Sequence, residues 1–348
     1  MLYQLFNDET KVDLPSDSGL IIHDKMKILA LHLHQIIAYA KMRGIARQEL
    51  VSLIENPPTD FLSETETVSP IDFYKVIDVL IQQLKDEQLG IRLGNFLNLG
   101  ALGLIYRISL QATTIEEALY YLQMYLNATF PIVGIETTID ADAVRILLHI
   151  DNEHIEANRV ILENILTIIA KEVNMMVQNG VEVIKTSPFV SPDYPDDWQL
   201  SEKYSVSFTP GILKATLQDR SRQQLDLLIP EYLKLIEGLK SELSFANKVK
   251  IASLNLAKPE LPDLASVADA FHLSPRTFQR RLVSENVTFR QITDDLRKQI
   301  SGLLIRHNRF SVTDISYVLG YSEPAAFIHS FKKWFGDSPE RLRQKAFS

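Results

Sequence analysis

The chain has 348 residues, 46% of them hydrophobic, no cysteine and a formal net charge of −8. That length suits two or three domains that each bury a core, and the missing thiols exclude disulfides, thiolate nucleophiles, cysteine-ligated zinc and iron–sulfur clusters. The charge is unevenly placed: residues 240–348 carry 17 Lys and Arg against 11 Asp and Glu, leaving the rest strongly acidic, which fits two different partners, a polyanion for the basic third.

The opening MLYQLFNDET has no basic region followed by an apolar core. The apolar stretch MKILALHLHQIIAYA is interrupted by His32, His34 and Gln35 and is too short for a bilayer. A cytoplasmic protein with no membrane partner is expected. Apolar spacing predicts a helix over 25–43, and Ser69-Pro70 reads as an N-cap with proline at the first helical position. Gly90, Gly94, Gly100 and Gly103 fall among apolar helical residues and not after a strand, so they make no dinucleotide fingerprint. Thr114 to Glu117 fits a capping box that starts a helix to about residue 127. On that helix Tyr120, Tyr121, Met124 and Tyr125, with Phe130 beyond it, either line an apolar effector pocket or form core.

PIVGIETTID and AVRILLHID around Asp-Ala-Asp read as a hairpin. A helix over 154–178 should end at Asn179-Gly180, with strands in VEVIKT and YSVSF. SPFVSPDYPDDW, with three prolines and three aspartates, reads as a surface loop. His149, Asp151, Glu153 and His154 are rich in ligand atoms, but they fall at a strand-to-helix turn where polar residues are expected; no metal and no cofactor is assigned. His32 and His34, two apart on a helix, do not share a face. From Pro230 the pattern is purely helical.

In the C-terminal third, Asp263 caps a helix through Phe271, Leu273-Ser274 makes a tight turn, and Ser274-Pro275 starts a second helix to about Glu285. Phe278 and Leu282, at i and i+4, face a core, leaving Arg276, Thr277, Gln279 and Arg280 outward. Arginine forks suit guanine edges and glutamine suits adenine, so this is recognition-helix chemistry; one copy alone reads equally well as a solvated surface helix. Forty-eight residues on, TDISYVLGYSEPAAFIHSFKKWFG repeats the plan: Ser316 replaces Ala268, Gly320-Tyr321-Ser322 turns, and Phe327, Phe331 and Trp334 form a buried stripe. Ala325, Ile328, His329 and Lys332 then face outward, and Gly336 stops the helix. Between the copies, Thr288 to Gln291 is a capping box, and Phe289, Ile292, Leu296, Ile300 and Leu303 mark a linking helix of about twenty residues, roughly 30 Å long. The distance between successive major grooves on one face of B-DNA is ~34 Å.

These residues together resemble the C-terminal domain of the AraC/XylS family of bacterial transcription regulators, through LSPRTFQRRL, Leu296-Arg297, ISYVLGYSEPAAFIHSFKKWFG and SPERLR. Gly100 to Gly103, TTIEEALYYLQMYL and YSVSFTP resemble the family's effector-binding and dimerisation domain in its amino-acid-catabolism branch. The resemblance implies an α+β domain over 1–235 and an all-α domain over 240–348 with helix-turn-helix motifs at 263–285 and 312–336. It implies double-stranded DNA read through two adjacent major grooves. Arg276, Thr277, Gln279 and Arg280 would read the first and Ala325, Ile328, His329 and Lys332 face the second, with Ser274, Arg281, Ser322 and Lys333 beside them. A homodimer, RNA polymerase as partner, activation and a small-molecule effector are implied likewise; the alternative is a constitutive DNA-binding dimer whose N-terminal domain serves only protein contacts. His272 stands where the family usually has glycine, and Ile328-His329 where it often has a Ser/Thr-Arg pair. Repair enzymes that carry the same DNA-binding module need a methyl-accepting cysteine, which this chain lacks, so no enzyme is expected.

Overall fold

A computed structural model of the chain describes residues 26–63, 65–96, 112, 114–177, 181–214, 235, 244–257, 261–305 and 311–347. The junction expected between the domains over 1–235 and 240–348, Asn179-Gly180, and Gly100 and Gly103 lie wholly or largely outside them.

The N-terminal half is an α+β body. It opens not in helix but in a two-residue strand, β1 (Ile28–Leu29), paired antiparallel with β2 (Thr67–Val68), before α1 (Ala30–Arg43) begins. Gly44, at φ 106°, ends α1 in the left-handed conformation that glycine adopts without strain. After α2 (Arg47–Val51), Ser69 accepts the Asp72 amide at 3.0 Å and Pro70 opens α3 (Pro70–Leu84), as its sequence dictates. α4 (Leu89–Asn95) then lies against a long helix contributed much later in the chain, α6 (Ile155–Met176). The approach is close because Gly90 and Gly94 face it: a Cβ on either would come within 2.6 Å of the Val160 or Asn164 carbonyl oxygen.

α5 (Ile115–Thr129) starts at Thr114, whose hydroxyl accepts the Glu117 amide at 3.2 Å. The hairpin is β3 (Gly134–Ile139) and β4 (Val144–His149). With β5 (Ile184–Ser187), β6 (Trp198–Leu200) and β7 (Tyr204–Phe208) it forms a five-stranded sheet of order β3-β4-β7-β5-β6, antiparallel except for β5 and β6. β6 corrects the loop reading of SPFVSPDYPDDW, for Trp198 at the end of that stretch is buried in a strand. α6 covers the sheet on β4, β5 and β7.

Every described element after residue 244 is a helix. These are α7 (Phe245–Asn255), α8 (Leu264–Ala270), α9 (Pro275–Val283), α10 (Phe289–Leu304), α11 (Val312–Val318), α12 (Pro324–Phe335) and α13 (Pro339–Phe347). The fold is thus the expected α+β body followed by an all-α unit.

Candidate nucleic-acid interface

The first helix pair is set by two caps. Asp263 accepts the Ser266 amide at 2.8 Å to start α8, and Ser274 accepts the Thr277 amide at 3.2 Å to start α9. Between them the Leu273 amide reaches back to the Ala268 carbonyl at 3.0 Å, and His272 takes φ 54°. In the second pair Tyr321 donates to the Ser316 carbonyl at 3.0 Å and Gly320 takes φ 76°. The two turns therefore share one backbone design, with a histidine in the first where the second has glycine. They differ in length by one residue: Ser274 caps α9, whereas Glu323, not Ser322, precedes Pro324 of α12.

Ala268 and Ser316 are fully buried where the paired helices cross, as small residues must be for that approach. Phe278 and Leu282 are buried, and Phe278 meets Phe245, Phe271 and Phe289 in an aromatic cluster with centroids 5.5 to 6.0 Å apart. This cluster fixes the roll of α9, so Arg276, Gln279 and Arg280 are exposed and Thr277 is half-buried. Arg281 is also exposed along its length, but its guanidinium lies 4.3 Å above the Phe245 ring, tying α9 to α7. Ser274 spends its hydroxyl on the cap and on Thr277 Oγ1, at 2.9 Å.

In α12, Phe327 and Phe331 are buried and Ala325, His329, Lys332 and Lys333 are exposed. The apolar stripe departs from the expected one: Trp334 is only half-buried, and it is Phe335, also half-buried, whose ring meets Phe331, tilted with centroids 4.5 Å apart. Ile328 is half-buried against the core and not a fully outward residue.

The linking helix begins at the expected capping box, with both Thr288–Gln291 bonds formed. It has 16 residues, not twenty, and so a length of about 24 Å. Its last buried leucine is Leu304, with Leu303 half-buried. Arg297, the arginine of the Leu-Arg pair, donates from Nε to the Leu319 carbonyl at 3.0 Å, and its guanidinium lies 5.4 Å from the Tyr321 ring. The helix therefore grips the second turn at a carbonyl that the end of α11 would otherwise leave bare.

The five residues read as pocket or core do not converge. Tyr120 is 59% exposed, Tyr121 and Met124 are half-buried, and Tyr125 and Phe130 are core. Only Phe130 borders the cavity inside the body, whose volume is about 40 Å³ and whose polar lining is His32, Gln35 and Asn164. The spacing of His32 to Gln35 and Ile36 puts all three on one helix face, which is the sequence signal for this lining. The His32 Nε2 pairs with Thr129 Oγ1 at 2.9 Å, and burial pushes its pKa down to about 4, so the ring is neutral. Two carboxyls on α6 respond to burial in the opposite sense: Glu163 and Glu172 are both raised to about 7. Glu163 accepts from Tyr194 at 2.9 Å and Ser187 at 3.2 Å, whereas neither Glu172 oxygen has a hydrogen-bond partner among the described residues. His154 of the histidine-rich turn stacks on Tyr74 at 4.4 Å, and among the described residues no three acids or histidines gather as a metal site would require. Among the same residues no helix is long and apolar enough to cross a membrane.

Two family descriptions match the chain: a helix-turn-helix domain over residues 267–345, and the N-terminal arabinose-binding domain of AraC transcription regulator over residues 44–183. The uncharacterized HTH-type transcriptional regulator Rv1395 of Mycobacterium tuberculosis is 22% identical over 88% of this chain and 93% of its own length. The ornithine utilization regulator of Pseudomonas aeruginosa is 23% identical over 86% of this chain and 91% of its own. The HTH-type transcriptional regulator VqsM of the same organism is 39% identical, but over 84 residues, 24% of this chain and 26% of that protein. The crystal structure of the transcriptional regulator CdpR, also from Pseudomonas aeruginosa, is 17% identical and aligns over 90% of this chain and 98% of its own with a TM-score of 0.39.

Proposed function

Because the chain belongs to the AraC/XylS family of transcriptional regulators, we propose that it is a cytoplasmic homodimer that lays α9 and α12 into adjacent major grooves and activates transcription, with RNA polymerase as its partner, under control of a small effector. One observation carries the DNA part. Two helix pairs whose turns share one backbone design present Arg276, Gln279 and Arg280 on one recognition helix and His329, Lys332 and Lys333 on the other, all exposed, while aromatic cores hold each helix from behind. Arg276, Gln279 and Arg280 supply base-edge donors, and Lys332 and Lys333 supply phosphate contacts. Ser274 and Arg281 serve α9 structurally and contact DNA only at its edge. Ile328, half-buried, offers one apolar edge for a thymine methyl.

The test is selection of duplexes from a random library by the full chain, followed by gel shifts on the winners. Enrichment of a bipartite site with half-sites one helical turn apart supports the reading; a single half-site, or no enrichment, overturns it. The second reading, a constitutive dimer whose body serves only protein contacts, is favoured by the cavity that His32, Gln35 and Asn164 line among the described residues: at about 40 Å³ it accepts a water or two and not an effector.

A further inference from the structure

Among the described residues the body meets the DNA-binding unit at a chemically specific place. Asp86, between α3 and α4, has a fully buried carboxylate that accepts from Arg43 at 2.9 Å and closely from Arg92. Arg92, on α4, is itself almost fully buried, and its Nε and Nη2 both reach one oxygen of Asp269, at 3.2 and 3.1 Å. Asp269 is in the last turn of α8, three residues before His272. The His272 ring presents Nδ1 3.9 Å from the same Asp86 oxygen that Arg43 holds. Both residues of the DNA-binding unit are about half exposed, so they meet the body at the rim of its surface.

His272 pays for its place. At φ 54° a side chain with a Cβ is strained, and glycine, as at Gly320 in the second turn, would not be. Only the first turn faces Asp86, and only the first turn has the histidine.

We propose that the body docks onto the first helix-turn-helix, and not the second, through this ion cluster, and that the contact transmits the state of the body to recognition helix α9. The partner surface is the turn itself, two residues from the Ser274 cap that starts α9, so a shift of α4 moves the start of the recognition helix. The junction is not close-packed throughout. It is polar, and beside it lies a cavity of about 340 Å³ walled by Asn95 and Lys171 of the body and by Leu261, Ser266, Asp269 and Ala270 of the DNA-binding unit. Small polar interfaces between domains permit relative motion, in contrast to large apolar ones. Transmission rests on the DNA-binding reading above; docking does not.

The absence of cysteine allows site-specific dye labelling of the full chain. One dye goes on Tyr120→Cys in the body and the other on Ser284→Cys behind α9, both exposed positions. Single-molecule energy transfer should give one narrow distance distribution. Asp269→Arg and His272→Gly should broaden it, whereas Asp269→Glu, which keeps the charge, should not. None of these changes removes a buried group of the body, so folding is preserved, and the circular dichroism melt of each variant checks that. In gel shifts on a duplex selected by the unsubstituted chain, Asp269→Arg should change the half-saturation concentration at least threefold. A distribution that stays narrow in Asp269→Arg overturns docking; a broadened distribution with unchanged DNA affinity overturns transmission. If the unsubstituted chain selects no duplex, it is the DNA-binding reading that fails, and the dye measurement still decides docking.

Discussion

Arg280 and Ile328 occupy comparable places on their recognition helices but differ in what holds them. Arg280 is exposed, with its guanidinium available, whereas Ile328 is half-buried against its own core. Arg280→Ala should therefore weaken binding to a selected duplex by roughly 1–3 kcal/mol and relax preference at one base position. Ile328→Ala should cost less and relax nothing sharply; equal losses in a gel-shift series would contradict this ranking. Residue identities such as these were legible because the i, i+4 aromatic stripes leave only one outward face. What spacing could not show is where a long side chain ends. Arg281, expected beside the readers, turns back over Phe245, and Asp269 and His272, which no local spacing marks as contacts, meet the body, because their partners lie 36, 177 and 186 residues away in sequence. The same blindness hid the buried acids. Glu172 looks like an ordinary polar residue of a long helix, yet its carboxyl is raised to about 7 by burial. A carboxyl whose pKa is higher folded than unfolded stabilises the fold below its unfolded pKa, and that contribution is lost as pH rises through about 7. Glu172→Gln should flatten the decline of the body's melting temperature between pH 5 and 8, as differential scanning calorimetry would register; an unchanged slope would place Glu172 in contact with water.

At the scale of elements, caps and glycines were the reliable signals. Ser69, Asp263, Ser274 and Thr288 each accept the backbone amide three residues on, as their sequence motifs require. Strand β6 was hidden because it follows Pro195 and two aspartates and spans three residues. Its parallel pairing with β5 is a long-range choice that no local alternation encodes. The glycines of α4 were correctly placed in a helix, but their purpose came only with the packing. α4 and α6 approach so closely that a Cβ at position 94 would come within 2.6 Å of the Asn164 carbonyl and of Thr167 Cβ. Lys171 of α6 also closes the end of α4, donating to the Gly94 and Asn95 carbonyls at 3.2 and 2.9 Å, where a cation favours the exposed carbonyls of a helix end. Gly94→Ala must push the helices apart and disturb this clasp. The overpacking should cost roughly 1–3 kcal/mol and lower the body's thermal midpoint by about 2–4 °C per kcal/mol. The helix propensity of alanine works the other way, so an unchanged or higher midpoint would mean that the two helices are not in contact at Gly94.

For the whole molecule the decisive property is that charge is segregated. An acidic body repels DNA, so attraction must come from the basic third, and within it from cations that face outward. The two recognition helices expose four such groups with neither a carboxylate nor a ring partner among the described residues: Arg276, Arg280, Lys332 and Lys333; Arg281 lies over Phe245. If each of these four lies against a phosphate, whatever base edge it also reaches, and the body stays clear, the logarithm of the association constant should fall with the logarithm of salt concentration with a slope of about −3 to −4 per bound protomer. Lys332→Ala should weaken binding to all duplexes alike and make that slope shallower by about 1, in contrast to the base-selective loss expected of Arg280→Ala. The measurement also bears on geometry. The linking helix is about 24 Å long, shorter than the ~34 Å between successive major grooves, so simultaneous engagement requires the recognition helices to splay outward from its ends or the DNA to bend toward the protein. Bending costs energy that depends on the sequence between the half-sites. Selected duplexes should then favour flexible pyrimidine–purine steps in that stretch, which no side chain touches, and circular-permutation gel shifts should find the bend there. A straight duplex bound with only half the expected salt slope would mean that one recognition helix is engaged at a time.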